Sequence, residues 1–170
     1  MAINNIRVLK GGMTVEEFRV DDRTTTSLDA TIKAGDAVKT VATTENFAAI
    51  CLTGDPEQGT DIFIGVTKSE STETSTVDGV INVEIVGPGT VIEGRATTAA
   101  NIDTDTKLLA FLNDYITFDR SAATSVGVLT IDEDEGSDSD VHALFVIGGD
   151  IVKGTLRVMP ANATIWRGGV

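Results

Sequence analysis

The residues best able to do chemistry form an acidic run late in the chain, Asp132–Asp140. This run holds six carboxylates within nine positions, and carboxylate oxygens are ligands that Ca²⁺ prefers. It does not follow the helix–loop–helix calcium pattern, because Gly136 falls one position early and no glutamate stands at the closing position. Strand-like segments, rather than helices, flank it. We therefore predict a solvated hairpin loop whose charges repel one another, with weak divalent-cation binding as the alternative.

A nucleophilic active site usually places a base beside the nucleophile, and His142 is the only histidine of the chain. It begins the apolar run Val141–Ile147, so we expect a partly exposed structural residue there. Cys51 is the only cysteine and lies in an apolar, strand-like run, which predicts a buried structural thiol. These counts exclude a transition-metal site built on several His and Cys side chains. The chain also contains no phosphate-loop, dinucleotide-binding, serine-hydrolase or HExxH motif.

Together these features predict a protein that is not an enzyme and that uses no cofactor or metal. A glycosidase with paired carboxylates is the enzymatic alternative. Such sites usually carry aromatic platforms for sugar rings, however, and the chain has one Trp, one Tyr and six Phe.

The net charge of −13 indicates which partners the chain avoids. A surface of this charge repels the phosphates of nucleic acids and anionic lipid head groups. No apolar stretch approaches the roughly 20 residues of a membrane span, and the N-terminus does not follow the signal-peptide pattern. We therefore expect a soluble protein, made in a cytoplasm, that binds neither nucleic acid nor membrane.

The backbone that must position these residues is predicted to be all β. Val, Ile and Thr are abundant, and about ten short extended runs recur at intervals of about ten residues, which is typical of a β-barrel or β-sandwich of short antiparallel strands. The clearest segment is Asp78–Ala96. Ile81, Val83 and Ile85 alternate with polar residues, the Gly87–Gly89 stretch favours a tight turn, and a second extended run follows. This pattern predicts a β-hairpin with one buried face.

Two shorter segments carry specific predictions. The Asp61–Thr67 segment alternates so that Ile62, Ile64 and Val66 should share one face of a strand, with Phe63 and Gly65 on the other. The apolar block Lys107–Leu112 fits a strand or a helical turn. A turn signal at Asn113-Asp114, followed by the strand-like Tyr115–Phe118, favours strand–turn–strand.

The chain divides into three parts on this interpretation. Residues 1–31 form an extended N-terminal arm with one or two short strands, because the segment has little to bury. Residues 32–159 form the β-rich domain. Residues 160–170 form a C-terminal tail, in which Trp166 is expected to pack on the domain or on a neighbour.

The order of these features resembles that of the capsid decoration, or cement, proteins of tailed bacteriophages. The features that carry the resemblance cover roughly Ile32–Val158. They are the A-G-D-x-V turn at Ala34–Val38, the apolar strand Phe47–Leu52, the I-G-V strand at Ile64–Val66, the glycine-containing Val83–Gly94, and two closing strands at Ser125–Leu129 and Gly154–Val158. The arm, the tail and the long acidic run extend beyond the usual compact module of that family.

The resemblance implies a small structural protein that binds the outer surface of a phage capsid and stabilises the shell. It also implies the major capsid protein as partner, a homo-trimer, no active site, and a place on the outer capsid surface of the virion after synthesis in the host cytoplasm. The arm would then attach by β-augmentation or through an apolar strip. The candidate capsid-binding residues of that strip are Ile3, Ile6, Val8 and Leu9. The alternative function is a receptor- or carbohydrate-binding module of a phage tail or fibre.

Overall fold

The computed structural model describes residues 6–12, 14–20, 31–41, 44–57, 62–72, 79–120, 128–134 and 142–161. These residues form mostly strands, with one short α-helix and a 3₁₀ turn at Ala99–Ile102. The strands are β1 (Arg7–Lys10), β2 (Val15–Val20), β3 (Thr31–Ile32), β4 (Ala37–Val41), β5 (Thr44–Ile50), β6 (Phe63–Thr67), β7 (Ser71–Thr72), β8 (Gly79–Ile85), β9 (Val91–Arg95), β10 (Tyr115–Arg120), β11 (Leu129–Asp132), β12 (Leu144–Asp150) and β13 (Thr155–Pro160), and the helix is α1 (Asp105–Phe111). The predicted all-β class is confirmed. Within the part of the chain described here, no helix is long and apolar enough to cross a membrane.

One half of the fold is a closed barrel with the strand order β2-β5-β4-β6-β8. The β2–β5 pair is parallel, and the other pairs are antiparallel. The barrel encloses an apolar core made of Phe18, Val20, Ile32, Val38, Ala48, Ile50, Ile64, Ile81, Val83 and Ile85. A separate two-stranded sheet pairs β3 with β7.

The other half is a six-stranded antiparallel sheet with the order β1-β9-β13-β12-β10-β11. Its inner face covers the larger core, which includes Ile6, Phe63, Ile92, Phe118, Ile131, Leu144, Leu156 and Val158. The sheet curls so that the end of β9 meets β11. There Ala96 forms a parallel bridge with Ile131, and the Thr97 backbone N–H donates to the Ile131 carbonyl at 2.9 Å.

Strand β6 lies between the two cores and is buried along its whole length. Phe63 belongs to the core of the sheet, whereas Ile64 belongs to the core of the barrel. Val66 lies with Phe63 in the core of the sheet, and Ile62 is 42% exposed, so the prediction that Ile62, Ile64 and Val66 share one face is wrong. The reason is a register shift: Val38 pairs with Gly65 and the next residue of β4 pairs with Phe63, which leaves Ile64 as an extra residue that breaks the alternation.

Strands β8 and β9 do not form the predicted hairpin. The alternation along β8 is confirmed, with Ile81, Val83 and Ile85 buried. However, β8 pairs with β2 and β6 inside the barrel, while β9 pairs with β1 and β13 in the sheet. The turn closed by the Thr90 N–H and the Gly87 carbonyl, at 3.0 Å, therefore carries the chain from one half of the fold to the other.

The block predicted as a strand before residue 113 is the helix α1. Thr104 caps its N-terminus, because its side chain accepts a hydrogen bond from the Lys107 backbone N–H at 3.3 Å. Asp105 lies in the first turn, where a negative charge interacts favourably with the helix dipole. Leu108 and Phe111 pack against the larger core. Thr104 and Asp105, which precede the apolar block, thus favour a helix over a strand.

Strands β1 and β2, which lie wholly within the N-terminal arm, pair with strands of the body. Strand β1 adds to β9 at the edge of the sheet, and β2 closes the barrel between β5 and β8. Ile6 is 1% exposed in the larger core. The boundary at residue 32 stays a prediction, as does the tail from residue 160, since Trp166 lies outside the described residues.

Candidate interaction surface

The acidic run is partly built into the fold. Asp132 is 7% exposed and Glu133 is 2% exposed, so the prediction of a solvated loop is wrong for these two residues; residues 135–140 lie outside the described part. The Glu133 carboxylate accepts hydrogen bonds from the backbone N–H groups of Thr97, at 2.9 Å, and Thr98, at 2.7 Å. It therefore anchors the segment that enters the 3₁₀ turn onto the end of β11.

This environment changes the acidity of Glu133. Burial raises the pKa of the Glu133 carboxyl, and the neighbouring charge of Asp134 acts in the same direction, while the backbone hydrogen bonds oppose the rise. Asp134 in turn accepts a hydrogen bond from the Asn101 side chain. No group of three or more His, Cys, Asp or Glu side chains that could hold a metal ion is found among the described residues. The described start of the run is thus structural.

The other two residues with reactive side chains, His142 and Cys51, are also buried in the fold. His142 is 9% exposed, so it is more buried than expected, and its Nδ1 lies 3.2 Å from the Tyr115 carbonyl oxygen. Cys51 is fully buried, which confirms the prediction for this thiol. Its carbonyl accepts a hydrogen bond from Arg120 Nε at 3.0 Å. Both residues hold segments of the body together.

The residues predicted to form a capsid-binding strip do not share one exposed surface. Ile6 is buried, and its Cδ1 occupies the space that a Cβ at Gly94 would need. Val8 is half-buried against the same core, whereas Leu9 is 42% exposed. Ile3 lies outside the described residues. Capsid binding through these residues stays a prediction, but within β1 only Leu9 offers an apolar side chain to a partner, since alternation turns Val8 inward.

Strand β1 is the outermost strand of the six-stranded sheet. It pairs with β9 on one side, and no described strand pairs with it on the other. The pairing contains a bulge, because Val8 pairs with Ile92 and Lys10 pairs with Val91, which leaves Leu9 as the extra residue. The unpaired N–H and C=O groups of an edge strand can bind a further strand from another chain. Among the described residues, β1 therefore presents an open edge of the sheet.

A row of charges crosses the outer face of the sheet beside this edge. Glu93 on β9 lies between Arg7 on β1 and Arg157 on β13. The Nε atom of each arginine donates to the Glu93 carboxylate at 3.1 Å. The arginine side chains are 53% and 42% exposed, whereas that of Glu93 is 4% exposed. The carboxylate is thus buried beneath the two guanidinium groups that neutralise it.

The pKa of Glu93 reflects this arrangement. Burial alone would raise the pKa of the carboxyl, but the hydrogen bonds and charges of Arg7 and Arg157 outweigh burial and leave the pKa lowered. Glu93 therefore remains ionised at neutral pH, and it holds both arginines in place at the edge of the sheet.

We name this region the β1 edge surface and define it by Arg7, Leu9, Lys10 and Arg157, together with the open edge of β1. It carries three cationic groups on a chain whose net charge is −13. Next to it, on the same outer face, lies a half-buried apolar row in which Phe145 pairs with Met159 and Tyr115. The sequence indicated the arm as a binding element, but the Glu93–Arg157 pair carried no local signal because its partners are 64 residues apart.

Comparison with protein-family models finds no match for this chain, and comparison with curated protein sequences finds none either.

Proposed function

We propose that this chain is a structural protein of a phage virion that binds the outer surface of the capsid and stabilises the shell. The major capsid protein is its partner, a homo-trimer its assembly state, and the host cytoplasm its location before assembly. The order of sequence features that resembles capsid decoration proteins supports this proposal. Attachment uses the β1 edge surface, where an extended segment of the shell protein adds to the sheet as a seventh strand.

The observation that carries the proposal is the open edge of β1 with an exposed apolar side chain at its bulge. Edge strands of soluble proteins are usually protected against further pairing by short length, charges or bulges. Strand β1 has charges and a bulge, but Leu9 on it is 42% exposed. Main-chain hydrogen bonds along such an edge supply affinity and side-chain contacts supply specificity.

Two parts of the resemblance lie side by side in the barrel. The A-G-D-x-V segment leads into β4, and the I-G-V segment lies within β6, and these strands pair through Ala37 with Val66 and Val38 with Gly65. Gly65 also permits the close approach of β6 to β8, because a Cβ at that position would lie 2.0 Å from the backbone oxygen of Glu84 on β8. The glycine of the I-G-V segment therefore has a structural role, because it allows β6 and β8 to pack closely in the barrel.

The experiment is sedimentation of the purified protein with capsids that lack it, followed by a count of bound copies. We expect saturable binding at a fixed ratio to the major capsid protein. Leu9→Glu should lower occupancy, while the matched control Val80→Glu, at a 45% exposed position on the barrel, should not. Absence of binding across a range of salt concentrations would refute the proposal, and glycan binding by the same protein would favour a receptor-binding module of a tail or fibre.

A further inference from the structure

We propose that the β1 edge surface selects an extended protein segment with three consecutive residues in the order acidic, apolar, acidic. The added strand passes the bulged Leu9 as β9 does on the other side. Its first carboxylate faces Arg7, its apolar side chain lies beside Val8, and its second carboxylate faces Lys10. This inference rests on the proposed docking of a shell-protein segment at the edge of β1, and it specifies the chemistry of that segment.

The charge row predicts the first acidic position. Along the row the charges run positive at Arg157, negative at Glu93 and positive at Arg7. Residues directly opposite each other on neighbouring strands interact most strongly, and like charges in that position are destabilising. Arg7 is 53% exposed although it is bound to Glu93, so part of its guanidinium group can bind a second carboxylate. A strand added to β1 therefore continues the alternation with an acidic residue.

The row of inward-facing side chains that crosses β13, β9 and β1 predicts the apolar position. Val8 pairs with Ile92, and Ile92 pairs with Val158, so apolar side chains follow one another from the core to the edge. Both Ile92 and Val158 are fully buried, and Val8 is half-buried at the end of the row. An apolar residue opposite Val8 would extend the core by one strand and remove the remaining Val8 surface from water.

Lys10 predicts the second acidic position. Its neighbour on β9 is Val91, and no ion pair of Lys10 is found within the described part of the chain. A carboxylate opposite Lys10 would give that cation a partner. Because the pattern acidic, apolar, acidic reads the same in both directions, it holds for a parallel or an antiparallel added strand.

Strand β9 already shows the same preference on the other side of β1. It places Glu93 opposite Arg7 and Ile92 opposite Val8. The docked segment would repeat that pair of residue types on the open side. A nucleic acid is a poorer partner, because it offers no backbone N–H groups to the edge and the rest of the chain repels it.

The test measures the affinity of the full chain for three labelled, end-blocked peptides at low and high salt. The peptides share one neutral β-forming sequence and differ only in whether two Glu, two Gln or two Lys flank a central Val. We expect the Glu peptide to bind at least about tenfold more tightly than the Lys peptide at low salt, since two favourable cross-strand pairs replace two unfavourable ones. Lys10→Glu and Arg7→Gln should each reduce this preference. Lys153→Glu, at a 62% exposed side chain on the β12–β13 turn, should leave it unchanged.

Equal affinity for the three peptides would overturn the acidic, apolar, acidic pattern, and so would a preference that Lys10→Glu leaves intact. Neither result would affect capsid binding itself, which the sedimentation experiment measures independently. If the protein self-associates and Lys10→Glu abolishes that self-association, a second copy of the chain binds the edge. That result would also overturn the proposal. Arg7→Gln is chosen over Arg7→Glu because a carboxylate beside Glu93 would destabilise the fold, and thermal unfolding of each variant checks that it is folded.

Discussion

Replacement of Arg120 by Met should strongly destabilise the fold. Arg120 lies on β10 of the sheet, and its side chain is 1% exposed. Its Nη2 atom lies 3.1 Å from a carboxylate oxygen of Asp36, the residue before β4, and its Nε donates to the Cys51 carbonyl at 3.0 Å. These bonds join the sheet to the barrel, which have separate cores. Met keeps much of the side-chain volume but removes both polar links.

The expected cost of Arg120→Met follows from burial. Removal of one partner of a buried ion pair leaves an uncompensated charge, here that of Asp36, and typically costs about 3–5 kcal/mol. Loss of the hydrogen bond from Arg120 Nε to the Cys51 carbonyl acts in the same direction. We expect a loss of about 4 kcal/mol from the free energy of unfolding, and a fall in Tm of about 10 °C at this chain length.

The assay is urea unfolding followed by circular dichroism, with Lys107→Met as the matched control. Lys107 forms an ion pair with Asp103 at 2.8 Å, but both side chains are about half exposed, so its removal should cost about 0.5 kcal/mol or less. The double variant Arg120→Met/Asp36→Asn should lose less than the sum of the single variants, because the two side chains interact directly. A loss of less than about 1 kcal/mol in the free energy of unfolding of Arg120→Met would refute the assignment of Arg120 as a stabilising link between the two halves.

Three further predictions concern the barrel, the arm and the charge row. Gly65→Ala should cost about 3 kcal/mol in urea unfolding, because the added Cβ would lie 2.0 Å from the Glu84 backbone oxygen; unchanged stability would show that β6 and β8 can separate. Ile6→Ala should cost about 3 kcal/mol, whereas Leu9→Ala should cost about 0.5 kcal/mol or less. If both variants lose equally little of the free energy of unfolding, the side chain of Ile6 lies outside the core. Because the folded-state pKa of Glu93 is lowered from 4.5, its contribution to stability is present above about pH 4.5 and is lost as pH falls through the lower folded value. The advantage of wild type over Glu93→Gln should therefore shrink under acid, and an advantage that is constant with pH would contradict the lowered pKa.

Much of the candidate surface could not be predicted from the sequence, because its parts come from distant positions. The sequence indicated Ile3, Ile6, Val8 and Leu9 as an apolar binding strip, and the alternation of a strand explains why Ile6 and Val8 face the core while Leu9 does not. The burial of Glu93 depends on Arg7, which is 86 residues away. The buried Glu133 likewise depends on backbone N–H groups 35 and 36 residues away. No pattern among neighbouring residues indicates a hydrogen-bond partner that is so distant in the sequence.

The sequence by itself determined the all-β class and the buried face of β8, because the alternation of Ile81, Val83 and Ile85 is a property of neighbouring residues. The cap at Thr104 is a local feature that favours the helix α1, but the apolar block fitted a strand or a helical turn, and the turn signal after it led to the wrong prediction of a strand. Only the tertiary structure decided which strands are neighbours. A turn at Gly87–Gly89 is compatible with a hairpin and equally with passage between two sheets, because the cost of closing a longer loop rises only slowly with its length. Long-range pairing and burial therefore select the partners of β8 and β9, and with them the open edge of β1.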